Sequence, residues 1–322
     1  MFGQRDCSTG LKTCLKKYWG YSCFLEGQLE ICLNILNGKD SFVIMATGSG
    51  KSLTFQLPAV YLRDIGVRST TIVVSPLISL IDDQVSSLLT MGIPCCAIGS
   101  NSSVDIEHRA MRGEFTVVYA TPEKLLTWQH GLRELASVVH ITCFAVDESH
   151  CVSEWGHDFR PDYRRLGELR DTLGPKVPWV GLTASATKAV QADIIRNLRL
   201  NQPLIAKASL NRPNLKYCVI NRTGPNDLLR LILEYRKEQL LSYPGNIDKS
   251  AIPFYSTLVY VNSKKETEEL AKLLVACKLL SGIKVAYYHA GMQAADRSAV
   301  HMAFTNDEVQ VVIATIAFGM GE

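Results

Sequence analysis

Along this chain, short apolar runs closed by polar turns alternate with stretches whose apolar residues recur every three to four positions. The clearest run is Phe42, Val43, Ile44, Met45 and Ala46, bounded by Asp40 on one side and by Thr47 and Gly48 on the other. A continuous apolar run of that length reads as a strand buried on both faces, as in a parallel sheet. Similar runs lie at 71–74, 94–98, 116–120, 143–146 and 179–182. Helical spacing is found between them at 53–62, from Leu77 onward, at 105–111 and at 188–198. Residues 11–36 also read as helical, interrupted by a turn around Gly20 and closed at Gly38. Strands alternating with helices of about 10–15 residues imply an α/β domain with a mainly parallel sheet.

The pattern lapses over 202–225, which holds Pro203, Pro213 and Pro225. A domain junction is expected near 206–214, dividing the chain into lobes 1–206 and 207–322. A second alternation follows: helix 227–241, strand 258–261, helix 264–274, strand 285–288, helix 294–304 and strand 309–314. Residues 242–256 read as an exposed turn-rich loop. The second lobe stops just after a strand and reads as incomplete, because a parallel sheet is normally covered on its faces and edges.

Composition supports two soluble globular lobes: the 322 residues are 47% hydrophobic and 20% charged. No apolar run approaches the ~20 residues that span a bilayer. Arg5, Asp6 and Lys12 interrupt any signal-peptide pattern. An intracellular protein without a membrane partner is expected, nuclear if its source is eukaryotic. The ten cysteines are scattered and form no C-x-x-C pair, which argues against a zinc site and for reduced core thiols. A net charge of +3 requires any nucleic-acid surface to be a local patch.

The chemistry starts where the first strand ends. Thr47, Gly48, Ser49, Gly50, Lys51 and Ser52 follow it at once, and a helix follows them. Two glycines let the backbone curl so that successive N–H groups point inward, and the helix N-terminus adds partial positive charge. Lys51 would reach the outer phosphates of a nucleotide, and the Ser52 hydroxyl would ligate Mg²⁺. A glycine-lysine-serine turn by itself is also an ordinary strand-to-helix loop; the flanking strand and helix favour the phosphate site. Met45 stands where the full phosphate-loop pattern has glycine.

Asp147 and Glu148 close the buried run at 143–146, about a hundred residues further on. A carboxylate at the end of a neighbouring parallel strand can reach a metal at Ser52. Asp147 is the expected metal residue, through water, and Glu148 the residue that orients or deprotonates the attacking water. The alternative is an acidic pair capping the next helix. Just beyond, Trp155, His157, Phe159 and Arg160 form an aromatic-basic run suited to stacking on bases and touching phosphate. The alternative there is a buried aromatic cluster. Arg164, Arg165 and Arg170 extend the positive patch or form a solvated helix face.

These blocks resemble the superfamily 2 helicases, and more narrowly the RecQ family of DNA helicases. The resemblance rests on MATGSGKS (45–52), SPLISLIDDQV (75–85), TPE (121–123), DESH (147–150), SEWGHDFRPDY (153–163), LTASAT (182–187), NRPNL (211–215), YHAGM (288–292) and ATIAFGMG (314–321). LKKYWGYSCFLEGQLEI (15–31) resembles the family's adenine-recognition segment, and the wording of several blocks is similar to the Werner-type members. The SEWGHDFRPDY run is specific to RecQ proteins. The resemblance implies two RecA-like lobes of mainly parallel sheet with flanking helices.

It also implies roles. Gln28 would hydrogen-bond the adenine edge with Phe24 or Tyr18 packing nearby, unless it is simply an exposed helix residue. Leu25 stands where the family often has arginine. Lys51, Ser52, Asp147 and Glu148 keep the roles argued above, and His150, beside the acidic pair, would couple nucleotide to nucleic acid. Ser149 replaces a commoner alanine. Pro76, Ser79, Gln84, Thr121 and Pro122 would line the strand path through backbone N–H groups and hydroxyls, and Thr183, Ser185 and Thr187 would link the lobes. In the second lobe, Asn211, Arg212 and Asn214 sit at the junction. His289, Gly291 and Arg297 would face nucleic acid, and Thr315, Phe318, Gly319 and Gly321 resemble the segment that touches both nucleotide and strand, Gly319 on the nucleotide side and Thr315 on the DNA side.

The expected function is an ATP- and Mg²⁺-dependent 3′–5′ DNA helicase motor core acting on single-stranded and duplex or forked DNA in repair and recombination. Protein partners are not legible. The family's next block, with its paired arginines and arginine finger, is not in these residues. The chain alone is therefore expected to bind ATP and hydrolyse it feebly. The alternative reading is a nucleotide-gated single-strand binding module with little motor activity.

Overall fold

The computed structural model describes residues 4–99, 102–156, 158–209, 215–221, 227–242, 254–277 and 282–318. It divides into two compact units, Met1–Leu215 and Lys216–Glu322.

The first unit begins with α1 (Gln4–Cys14), a π-helical turn (Leu15–Trp19) and α2 (Gln28–Leu36). Gly20 ends the π turn in the left-handed region at φ +73°. The helical stretch read at 11–36 is thus three pieces. Then come β1 (Ser41–Ile44), α3 (Lys51–Asp64), β2 (Ser69–Val74), α4 (Ile78–Thr90), β3 (Cys95–Ile98), α5 (Val104–Met111) and β4 (Val117–Ala120). Next are α6 (Pro122–Thr127), α7 (Gln129–Val138), β5 (His140–Val146), a 3₁₀ turn (Ser149–Val152), α8 (Pro161–Arg165), α9 (Leu169–Leu173), β6 (Trp179–Thr183), α10 (Lys188–Asn197) and β7 (Leu204–Lys207).

The seven strands form one sheet in the order β3-β4-β2-β5-β6-β1-β7, and every pairing is parallel. β1 is second from the edge. β7 pairs beyond it, Phe42 opposite Ile205, inside the stretch expected to begin the junction. The first unit runs to Leu215, next to the junction expected at 206–214. β7 is short and only partly buried, so it lacks the apolar signal of the inner strands. Helices α6 and α7 were also unforeseen.

Side chains alternate across the sheet and build a core on each face. Phe42, Ile44, Ile72, Val74, Phe144 and Val146 face one core; Val43, Met45, Val73, Cys143 and Ala145 face the other. A third cluster joins α1, α2 and α3 through Leu11, Leu15, Cys32, Leu53, Leu57 and Tyr61. Helix α3 contains Pro58, which has no N–H for the Thr54 carbonyl. The Cys32 thiol, 3.5 Å away, donates to that carbonyl instead. Because all strands run the same way, their carboxyl ends share one edge. The glycine turn after β1, Ser75 and Pro76 after β2, Thr121 after β4 and Asp147 after β5 therefore meet there, where α/β sheets bind ligands.

The second unit holds α11 (Asp227–Ser242), β8 (Thr257–Tyr260), α12 (Lys264–Ala276), β9 (Val285–Tyr288), α13 (Ala294–Thr305) and β10 (Val311–Ala314). Its described strands pair in parallel as β8-β10-β9. Val311 and Ile313 pack toward Ile232, Ala271 and Leu274; Val312 and Ala314 pack toward Tyr288 and Phe318 on the other face. Among the described residues no helix is long and apolar enough to cross a membrane.

Candidate functional site

The turn after β1 has the shape its glycines permit. Gly48 and Gly50 lie at φ +78° and +73°, a region that disfavours side chains. A Cβ on Gly50 would also stand 2.5 Å from the Gln28 amide nitrogen. Ser49 folds back on Ala46 through both its N–H and its hydroxyl. The Lys51 ammonium lies inside the loop, donating to the carbonyls of Met45 at 2.9 Å and Ala46 at 3.3 Å. Phosphate oxygens are better acceptors than neutral carbonyls for an ammonium group. Met45 is compatible with the loop because its side chain is buried in the sheet's core and only its carbonyl serves the turn. Thr47 is exposed and Ser52 half-buried at the first turn of α3.

Gln28 is buried, not an exposed helix residue. Its amide donates to the carbonyls of Ser49 and Gly50, each at 3.2 Å, while its oxygen accepts from the Leu25 N–H at 2.8 Å. It joins the segment before α2 to the phosphate loop.

Asp147 ends β5, its N–H donating to the Val74 carbonyl. Its carboxyl accepts from the Glu148 N–H at 3.0 Å. Burial, then the neighbouring Glu148 charge, raises its pKa to about 6, against the pull of Lys51 and His150. A carboxylate so disfavoured gains from any cation brought to it, which suits a water-linked Mg²⁺. Among the described residues no three histidine, cysteine or acidic side chains gather as a metal cluster. Phosphate oxygens and water would complete the shell of a metal held by Ser52 and Asp147.

This shift has a measurable sign. Between the ordinary value of 3.8 and about 6 the folded chain holds a proton that the unfolded chain releases, so stability falls as pH rises through that window. In metal-free buffer, Asp147→Asn is expected to stabilise the protein at pH 8 by about 1–3 kcal/mol, the gain fading toward pH 4. Urea melts at the two pH values check this; an equal gain at both would mean that the carboxyl is not strained by its charge.

Glu148 is a non-glycine residue in the left-handed region, φ 47° and ψ 43°. Such strain costs on the order of 1 kcal/mol and is concentrated at functional sites. It swings the carboxylate to 3.1 Å from His150 Nδ1. The same nitrogen is 3.1 Å from the Thr183 hydroxyl, which donates onward to the Ser185 carbonyl at 3.0 Å. With the hydroxyl proton so used, Nδ1 carries the ring proton and shares it between Glu148 and Thr183. His150 thus ties the Glu148 carboxylate to the end of β6. These ties are the opposite of a helix cap, since no side-chain cap bond is made at the following 3₁₀ turn.

The loop beyond is anchored into this turn. Arg160 N–H donates to the Cys151 carbonyl, and the Tyr163 hydroxyl donates to the Asp147 carbonyl at 3.1 Å. Trp155 stands 77% exposed and Phe159 37% exposed, so the loop is not a buried aromatic cluster. Arg160 departs from expectation. Its guanidinium pairs with Asp158 at 3.1 Å and donates to the Pro76 carbonyl at 2.7 Å, so it positions the loop against the segment after β2. Pro76 is buried, has no N–H and has its carbonyl taken by Arg160; it shapes the path without donating to it. Arg164 and Arg165 pair with Glu154 and Glu168 on the surface. Arg170 is not part of that patch: it is ion-paired with buried Asp40, over the Trp179 ring.

Gln84 is half-buried, its oxygen accepting from Gln56 Nε2 at 2.9 Å, which also donates to the Tyr119 hydroxyl. That leaves the Gln84 amide nitrogen as the end free to turn outward. Thr121 caps α6, accepting from the Lys124 N–H. In the second unit His289 is buried. Its Nδ1 accepts from the Gly291 N–H at 3.1 Å, its Nε2 lies 3.3 Å from Glu268, and its ring stacks on Tyr287. It holds a turn and does not face outward as expected. Thr315 is half-buried just past β10, bonded to Tyr288 and Phe318. Ser79's side chain, His157, Asn211, Arg212, Asn214, Gly319 and Gly321 lie outside the described residues. Sequence reasoning missed the roles of Tyr163, Asp158 and Gln56; only the first two sit within a motif that could have drawn attention to them.

The model of the DEAD/DEAH box helicases matches residues 26–193, and that of the helicase conserved C-terminal domain matches 247–321. The chain is 42% identical over 313 residues to the bifunctional 3′-5′ exonuclease/ATP-dependent helicase WRN of Mus musculus, covering 96% of this chain and 21% of that protein. It is 39% identical over 312 residues to the ATP-dependent DNA helicase RecQ of Pasteurella multocida, covering 95% and 45% respectively. The chain spans less than half the length of either relative. Its fold is similar to that of S. cerevisiae Dbp5 bound to RNA and ADP BeF3, with a TM-score of 0.64 at 16% identity over 96% of this chain and 74% of that one.

Proposed function

The chain belongs to the DEAD/DEAH box helicases and, among them, to the RecQ type, and from that premise we propose that it is the motor core of an ATP-dependent DNA helicase moving 3′ to 5′ along single-stranded DNA. Lys51 and the loop N–H groups hold the phosphates, Gln28 reads the adenine, and Glu148 orients the attacking water. Ser52, and Asp147 through water, would hold a Mg²⁺ ion, which would supply charge neutralisation at the phosphates. Single-stranded and forked DNA are the substrates, in repair and recombination; in a eukaryote the location is the nucleus.

The observation that carries this reading is the loop from Trp155 to Tyr163. It presents an exposed indole and is hydrogen-bonded at its far end to the backbone of the catalytic Asp147. A base stacking on Trp155 pulls on the turn that holds Asp147 and Glu148. Base–aromatic stacking is worth about 1–3 kcal/mol per base, so Trp155→Ala is expected to weaken single-stranded DNA binding by about 5- to 150-fold. ATP affinity, measured alongside, should be retained, and in a protein that also carries the arginine-finger block DNA should no longer accelerate turnover. If the variant binds DNA as the parent does, the loop is structural and the reading loses its main support. A preference for single-stranded RNA over DNA in the same assay would favour an RNA motor.

A further inference from the structure

The base-recognition segment is held at two points, and one of them lies far from the nucleotide. Its downstream end is Gln28, bonded to the phosphate loop. Its upstream end is the π-helical turn, where the Tyr18 hydroxyl donates to Asp64 Oδ1 at 2.7 Å. The Lys17 ammonium lies 2.9 Å from Asp64 Oδ2, and the Cys14 thiol 3.5 Å from it. Asp64 is the last residue of α3, the helix whose first residue is Lys51. At 1.5 Å per residue this helix is about 20 Å long.

One rigid element thus fixes the phosphate loop at its start and the root of the base segment at its end. Between the two anchors, residues 20–23, 25 and 26 are exposed and Phe24 is half-buried. Burial pushes the Asp64 carboxyl up, but hydrogen bonds from Tyr18, Lys17 and Cys14 outweigh it and hold the carboxyl below its ordinary value. The π turn itself is an unusual local form that recurs at functional sites. Tyr18 is therefore not free to pack on adenine by its hydroxyl end; it is the segment's tether.

We propose that Asp64 is a positioning residue for nucleotide-base discrimination, setting through Tyr18 and Lys17 the reach of the 18–28 segment from the far end of the phosphate-loop helix. This rests on the reading that Gln28 meets the base. Loosening the tether costs binding energy that comes from the base and leaves binding of the phosphates intact.

The test compares ATP with inorganic tripolyphosphate, both with Mg²⁺, by titration calorimetry on the 322-residue chain. Asp64→Ala and Tyr18→Phe are each expected to weaken ATP by about 5-fold, the worth of one net hydrogen bond, with tripolyphosphate affinity constant within about twofold. Asp64→Asn, which still accepts from Tyr18, should restore most of the ATP affinity. Parallel weakening of both probes, or no weakening of ATP, overturns the proposal. Tyr18→Phe removes a single hydroxyl, so it carries the test should Asp64→Ala misfold. Gln28→Ala separates the two levels. If it leaves the ATP-to-tripolyphosphate ratio unchanged, base reading by this segment is itself wrong. If it lowers the ratio while the Asp64 and Tyr18 variants do not, only the tether falls.

Discussion

Glu148→Gln is expected to slow ATP hydrolysis by about 10²–10⁴-fold, the range set by loss of a general base. A single-turnover assay, which reads slow rates, is the appropriate measurement. The substitution keeps the side chain's size and leaves an oxygen to accept from His150 Nδ1, 3.1 Å away in the parent protein. It does not touch Lys51 or the glycine turn. ATP affinity should therefore hold within a few-fold while the chemical step fails. A second consequence follows from the His150–Thr183 contact. With a neutral amide replacing the carboxylate, the shared Nδ1 proton leans to Thr183. His150→Ala in the Glu148→Gln background should then add little, because both act on the same step. Additive losses, or an unchanged rate in the single variant, would place the base elsewhere.

Much of this site could be read from the chain because its parts are local. The strand, the two glycines and the helix start lie within a few residues of one another, and each obeys a backbone rule: φ is positive at Gly48 and Gly50, and apolar residues fill both faces of β1. The acidic pair followed from the same logic at the end of β5. What could not be read is contact across the sheet. Arg160 and His289 sit inside blocks that carry the resemblance and Arg170 lies beyond one, yet each spends its charge or hydrogen bonds inside the protein. Periodicity cannot place a side chain against one that is dozens of residues away. Nor does a resemblance distinguish a group that touches a ligand from a group that orients its neighbour. The edge strand β7 was missed for a different reason: it has one fully buried position and so lacks the pattern of an inner strand.

Arg170 carries the larger structural consequence. Asp40 precedes β1 and is buried, and its carboxylate accepts three ways: from the Trp179 N–H at 2.8 Å, from the Asn201 N–H at 2.6 Å, and from Arg170. It therefore clamps the start of the phosphate-loop strand to the start of β6 and to the segment leading into β7. The Arg170 guanidinium lies over the Trp179 ring, 5.3 Å from its centroid. Removing one partner of a buried pair leaves an uncompensated charge, so Asp40→Ala is expected to destabilise the first unit by about 3–5 kcal/mol. Two stranded N–H groups add to that cost. Replacing both partners, Asp40→Asn with Arg170→Met, removes the orphaned charge and keeps an acceptor, and should recover part of the loss. Urea denaturation read by tryptophan fluorescence follows the transition, since Trp179 is part of the cluster. A cost below about 1 kcal/mol for Asp40→Ala would mean that water replaces the carboxylate, as it does for surface pairs. The loop glycines and Lys51 are untouched by these changes. Any loss of ATP binding that appears only as the protein melts would show that the phosphate loop depends on this clamp for its strand, while its own shape is set locally.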